Sequence, residues 1–257
     1  MTESTRLAPE RYLALLTADG QRLAAAAEGR LDDLVPTCPG WTVADLVQHT
    51  GAVYLHKIAC LALGRAPGEG EFARGPAKGQ DLLAWFRGAH VDLVAELGSR
   101  SPDSPAYTWY PPEQDVAFWI RRMAQETVIH RVDAESAAGQ VTAADDDLAV
   151  DGIDEVLEVF LAYGLGQDPA QNVEAFTGRS VRIRTGAWAW QASVDASDPA
   201  HPIVVQRTPA PAQATVSGEP SELLLWMWGR RPDSAVTIHG DPAAAADMRQ
   251  LLARGTA

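Results

Sequence analysis

FWIRRMAQETVIHRVD, running from Phe118 to Asp133, reads as a helix in which Glu126 and His130 stand four residues apart between apolar positions. At that spacing a carboxylate and an imidazole share one helix face and can close on the same ion. A second long amphipathic segment, Thr42 to Leu63, carries His49 near its start. If the two helices pack antiparallel, His49 comes opposite the Glu126/His130 pair.

Working outward, Pro9 to Gly29 places Leu13, Leu16, Leu23 and Ala26 at helical intervals and ends on a glycine. Prolines and Gly40 then break the chain, and Cys38-Pro39-Gly40-Trp41 reads as a tight turn. Thr42 with Asp45 forms a capping box for the second helix. The Gly/Pro-rich stretch GRAPGEGEFARGPAKG after it is long enough to be a lid. A third helix spans about Gln80 to Gly98. The segment SRSPDSPAYTWYPPEQ follows, whose Tyr107, Trp109 and Tyr110 need a surface or pocket to cover them. The fourth helix, about Asp115 to Gly139, contains the opening run. Four such helices make an up-and-down four-helix bundle the expected architecture for residues 1–145.

Past the acidic break QVTAADDD, a fifth helix is expected from Leu148 to Leu165, and then the period changes. Val181 to Thr185 and Ala187 to Val194 alternate as two strands of a hairpin, with further strands at Pro202–Arg207, Ala212–Ser217 and Val236–His239. SELLLWMWGRR reads as a short helix capped by Ser221, and Asp241 to Arg254 as a terminal helix. Residues 146–257 are thus expected to form a smaller α+β domain with a largely antiparallel sheet.

With 257 residues, 46% apolar and 21% charged, the chain can bury a sizeable core. Its net charge of -13 argues against nucleic acid and anionic membranes as partners, since both need clustered Lys and Arg. No apolar run reaches the roughly 18 residues of a membrane span. Two cysteines and an N-terminus without an apolar core lead to the expectation of a cytoplasmic protein with reduced thiols, a monomer or homodimer.

His49, Glu126 and His130 offer N, O and N donors suited to a divalent ion of the zinc type, and three protein ligands leave a position open for water or substrate. The competing reading of Glu-x-x-x-His is a solvated ion pair. Asp133 reads either as an acceptor for a liganding imidazole or as a surface carboxylate. His56 reads as a fourth ligand, an acid/base group or a hydrogen-bonded bundle residue, whereas His90, His201 and His239 read as ordinary surface or loop positions. The turn around Cys38 explains that residue structurally, and no basic neighbour lowers its pKa.

The runs VPTCPGWTVADLVQHTG, ETVIHRVDA, AVDGIDEVL and SELLLWMWGRR, in that order, resemble the mycothiol-dependent maleylpyruvate isomerase family over nearly the whole chain. The resemblance implies a DinB-like bundle, a sterol-carrier-like C-terminal domain, and His49, Glu126 and His130 as ligands of Zn²⁺ or another divalent metal. It also implies mycothiol as co-substrate, its sulfur held as a thiolate that adds to a small electrophile, giving either cis-trans isomerisation or thiol S-transfer. Two alternatives stay open: a hydrolase using zinc-bound water, and a non-catalytic small-ligand binding protein. Arg230, at the end of LLLWMWGRR, is the expected cation of the active cleft, with capping of the helix C-terminus as its other reading.

Overall fold

The computed structural model describes residues 4–165, 173–195, 197, 202–207 and 210–256. They fall into two compact units, one from Leu7 to Thr142 and the other made of the chain after Thr142 together with the residues before Leu7.

The first unit is the expected four-helix bundle: α1 (Pro9–Ala27), α2 (Val43–Leu63), α3 (Leu82–Gly98) and α4 (Val116–Ala137). Local chemistry sets the helix starts. Thr42 and Asp45 make the reciprocal capping box at α2, and the side chains of Asp81 and Asp115 accept from the third residue beyond at α3 and α4. The connectivity refines the up-and-down expectation. Around the bundle the order is α1, α3, α2, α4, so the links after α1 and after α3 cross the diagonal. Asp19 meets Arg131 and Arg22 meets Glu135, so α1 and α4 run parallel. Tyr54 meets Thr127 while His49 meets His130, so α2 runs antiparallel to α4. Both diagonal links are long enough to make the crossing, and each is pinned by a single β-bridge, Leu34 to Thr42 and Pro105 to Asp115.

Helix α3 is seated through glycines. Gly51 of α2 lies under the Trp85 ring and Gly20 of α1 under the His90 ring, approaches that leave no room for a Cβ. His90 is therefore buried in the core, with Nε2 3.0 Å from the Leu16 carbonyl oxygen, and is not the surface residue expected. The sequence hid this because the partner that makes room for the imidazole lies on another helix. Between α1 and α4, Arg131 has no exposed surface; its Nε is 3.2 Å from Asp19 Oδ1 and its Nη1 2.8 Å from Glu135 Oε2. Burial pushes the Asp19 carboxyl up, against the pull of Arg131 and Arg22.

The aromatic segment before α4 covers itself. Trp109 and Tyr110 pack on the Phe118 ring at 5.5 and 5.8 Å, and Trp119 Nε1 donates to the Tyr107 carbonyl at 2.8 Å. All three loop aromatics are half-buried.

In the second unit the expected fifth helix begins as α5 (Asp146–Glu155) but continues as a wider π-helical turn, Val156–Gly164. VLEVFLAYG is apolar at nearly every position, so its periodicity could not separate the two helix types. The sheet is β1 (Ser180–Thr185), β2 (Trp188–Val194), β3 (Ile203–Gln206), β4 (Ala214–Ser217) and β5 (Thr237–Gly240), in the order β3-β2-β1-β4-β5. Only β1 and β4 pair in parallel, the rest antiparallel. Val181, Ile183, Trp190, Ala192 and Val216 bury one face, as the strand alternation requires. Trp190 Nε1 donates to Asp154 Oδ1 at 2.8 Å, and Arg207 donates to the same oxygen at 2.5 Å.

Helix α6 (Pro220–Met227) and α7 (Pro242–Gly255) complete the unit. Ser221 does not cap α6 as expected. Pro220 occupies the first turn, Glu219 is the N-cap without a side-chain bond, and the buried Ser221 hydroxyl instead accepts from the Ala144 N–H at 2.9 Å. His239 is exposed on β5, and His201 lies outside the described residues.

Candidate metal centre

Two helices carry the cluster, and a turn shapes its approach. In Cys38-Pro39-Gly40-Trp41 the Trp41 N–H donates to the Cys38 carbonyl at 3.0 Å, with proline at the second position and Gly40 at φ 86° at the third. That is a type II turn, and it needs a glycine at its third position. The turn sets the Trp41 ring 5.0 Å from the His49 ring. Tyr54, fully buried, hydrogen-bonds Thr127 at 2.6 Å and fixes α2 against α4 one turn away from the cluster.

Here His49, Glu126 and His130 converge, one ligand atom from each lying within 4.8 Å of the others. Glu126 Oε1 is 3.2 Å from His130 Nε2 and 3.7 Å from His49 Nε2. The other carboxylate oxygen, Oε2, accepts from Arg122 Nη2 at 2.7 Å. His130 Nδ1 lies 3.0 Å from Asp133 Oδ2, and Asp133 Oδ1 accepts from the Thr37 hydroxyl at 2.6 Å. The side chain of Asp133 has no exposed surface, so the reading of it as a surface carboxylate is wrong. His49 is the open side of the cluster, with 41% of its side chain exposed against 12% for His130.

Burial works against charge on both central groups and is overcome. His130, His49 and Arg122 hold the Glu126 carboxyl well below the usual range. Glu126 and Asp133 push the His130 imidazole up to about 9. Each of the two thus holds the other in its charged form.

The donor set fits a divalent ion of the zinc type. There are two imidazoles and one carboxylate, one imidazole is fixed by a carboxylate on its far nitrogen, and the carboxylate's spare oxygen is tied to an arginine. Of the groups contributing here, Arg122 could have been found in sequence as an Arg-x-x-x-Glu pair, whereas Thr37 carried no signal.

His56, seven residues beyond His49, is outside the cluster. Its ring meets the Phe72 ring edge-on at 5.0 Å, and its Nδ1 is 3.2 Å from Lys57 Nζ. Neither Cys38 nor Cys60 is in a disulfide. Burial pushes the Cys60 thiol up, which leaves it a poor nucleophile.

Arg230 belongs to the second unit. Gly229, at φ 78°, ends α6 in a Schellman motif, with Gly229 N–H donating to the Trp226 carbonyl at 3.0 Å and Arg230 N–H to that of Leu225 at 2.7 Å. The Arg230 guanidinium donates to the Trp228 carbonyl at 2.7 Å and sits 6.0 Å over the Trp228 ring. It is half-buried.

A helical bundle bearing a His/Glu/His cluster, followed by an α+β domain, defines a two-domain class of protein. The model of the mycothiol maleylpyruvate isomerase N-terminal domain matches residues 12–135, and that of the MDMPI C-terminal domain matches residues 147–247. The chain belongs to the mycothiol-dependent maleylpyruvate isomerase family. Among solved structures, a histidine-to-alanine mutant of the mycothiol-dependent maleylpyruvate isomerase superposes with a TM-score of 0.59 at 14% identity, covering 90% of this chain and 93% of that one. The structure of the same enzyme without that substitution gives 0.55 at 15% identity, with the same coverage. At these identities the likeness speaks for the fold. No curated protein matches the chain. Among the described residues, no helix is long and apolar enough to cross a membrane.

Proposed function

We propose that this protein is a metal-dependent enzyme that uses mycothiol, or a thiol like it, on a small electrophilic substrate, with maleylpyruvate-type cis-trans isomerisation as the leading reaction and thiol transfer as its close relative. The observation that supports this most is the convergence of His49 Nε2, His130 Nε2 and Glu126 Oε1 on one point at the edge of a bundle.

In this reading each residue has a defined task. Asp133 accepts the Nδ1 proton of His130 and so leaves Nε2 as its donor atom. Arg122 occupies Oε2 of Glu126 and leaves Oε1 facing the two imidazoles. Trp41 walls the exposed side of His49. A divalent ion held by these three ligands would supply Lewis-acid chemistry at a remaining coordination position, acidifying the thiol that takes it. Arg230 is assigned as the cation that orients an anionic part of the substrate or thiol, using its planar, permanently charged donor.

Native mass spectrometry and thiol-dependent turnover test the proposal. One divalent ion per chain is expected, lost in His49→Ala, Glu126→Ala and His130→Ala, and stripping it should lower the melting temperature. Turnover of maleylpyruvate, or thiol-adduct formation, should require both metal and thiol. Full occupancy in all three variants would sink the metal assignment, and turnover without thiol would indicate a hydrolase.

A further inference from the structure

Two cations close to the cluster form no ion pair among the described residues, although Asp45 lines a neighbouring hollow with Arg74 and Glu126 acts on Lys57 from a distance. In a chain carrying 34 acidic and 21 basic side chains this is unusual, because an excess of carboxylates is available to pair each cation. Arg22, Arg65, Arg87, Arg100, Arg122 and Arg131 of the bundle each lie against Asp or Glu. Lys57 and Arg74 do not: among the described residues neither forms an ion pair. The Lys57 ammonium lies 3.2 Å from His56 Nδ1 and 4.9 Å from the centre of the Trp119 ring. The Arg74 guanidinium lies over the Phe72 ring at 5.2 Å.

These two cations line one hollow. A cavity of about 350 Å³ is bounded by His49, His56, Lys57, Phe72 and Arg74, so the exposed imidazole of the cluster forms one of its walls. Arg74 reaches it from the loop between α2 and α3, which is held in two places. Gln48 Nε2 donates to the Arg74 carbonyl at 3.2 Å, and Arg65 grips Glu71 with two bonds of 2.7 Å. His56 reports the field inside: burial, Lys57 and Arg74 together push its imidazole down to about 4, leaving it neutral, so that its Nδ1 can accept a hydrogen bond from the Lys57 ammonium. A site that is locally cationic on a strongly anionic protein concentrates small anions. Its volume suits a small molecule.

We infer that Lys57 and Arg74 form a carboxylate-binding subsite beside His49, which holds the anionic end of the electrophilic substrate. The arginine supplies a planar fork that matches a carboxylate, and the lysine a compact charge. This rests on the proposed function and deepens it by naming the residues that hold the anionic end of the substrate, and it assigns the bundle a cation pair of its own in addition to Arg230.

Succinate and its neutral analogue succinamide, neither of them electrophilic, serve as probes on the full-length protein, titrated by calorimetry and by amide chemical shifts. The zinc-loaded and the chelator-stripped forms are both measured. Saturable binding of succinate is expected, with succinamide at least tenfold weaker and with affinity falling as salt rises. Lys57→Gln and Arg74→Gln should each weaken succinate at least tenfold, with shift changes centred on His56 and Phe72. Arg74 is exposed on a loop, so its variant decides the matter even if Lys57→Gln fails to fold. Binding that vanishes on stripping but is unchanged in both variants would place the carboxylate on the metal and overturn the subsite, while leaving the metal assignment standing. Lys57- and Arg74-dependent binding to a protein that takes up no zinc would do the reverse. Equal affinity for succinate and succinamide, or no saturable binding, also overturns it.

Discussion

His130 Nδ1 lies 3.0 Å from Oδ2 of Asp133, a carboxylate with no exposed surface and anchored in turn by Thr37. The pair fixes which nitrogen of His130 faces Glu126. Asp133→Asn should therefore weaken zinc affinity by about 10- to 100-fold, the usual effect of losing such a partner. Thr37→Val, which removes only the outer hydrogen bond, should have a smaller effect in the same direction. Competition against a chromophoric chelator reads both, and an Asp133→Asn affinity equal to that of the wild type would contradict the arrangement.

The seating of α3 on glycine can be tested with two alanines. A Cβ at Gly51 would stand 2.4 Å from the buried Trp85 ring, whereas at Gly88 it would meet nothing. Gly51→Ala should destabilise by about 1 to 3 kcal/mol through overpacking. Gly88→Ala should be neutral or stabilising by up to about 1 kcal/mol through helix propensity. Thermal melts of the two variants should move in opposite directions.

The loop that carries Arg74 depends on the Arg65–Glu71 clasp, and its pH response has a definite sign. The hydrogen bonds from Arg65 and from the Gly68 N–H hold the Glu71 carboxyl down to about 2, against a reference of 4.5. A carboxyl lower in the folded form than in the unfolded one stabilises above the unfolded value and loses that contribution as pH falls through the folded one. The clasp should thus be fully present above pH 4.5 and lost towards pH 2. An NMR titration of the Glu71 carboxyl should have its midpoint near 2, and Arg65→Ala should return it towards about 4.3.

Arg230 separates substrate binding from helix capping by its response to truncation. Arg230→Ala should leave zinc content and melting temperature nearly unchanged while lowering kcat/KM at least tenfold, about 1.4 kcal/mol. A lowered melting temperature with unchanged kinetics would assign it to the bond it makes with the Trp228 carbonyl.

What the sequence made legible was local. Thr42 with Asp45, Asp115 before α4, and the alternation of Val181 to Thr185 each act within a few residues, and each formed the expected element. Glu126 and His130 were legible for the same reason, since one helix turn brings them together. Apart from the π-helical continuation of α5, the misreadings involve partners distant in the chain. Ser221 serves Ala144 instead of its own helix, and His90 is buried because Gly20 makes room for it. The cationic hollow, too, needed the fold: Lys57 and Arg74 are separated by a Gly/Pro-rich loop whose path no periodicity encodes.

The parallel run of α1 and α4 places Asp19 against Arg131 and Arg22 against Glu135 across two segments more than a hundred residues apart. An apolar seam between such helices would tolerate sliding by one turn, about 5.4 Å, because leucines are interchangeable partners. Charges are not. A one-turn slip would pull Asp19 away from the fully buried Arg131 and Arg22 away from Glu135, breaking both cross-helix pairs at once. These ion pairs therefore act as a registration key, telling the last helix of the bundle where along the first it must stop, and so fixing the height at which Glu126 and His130 face α2.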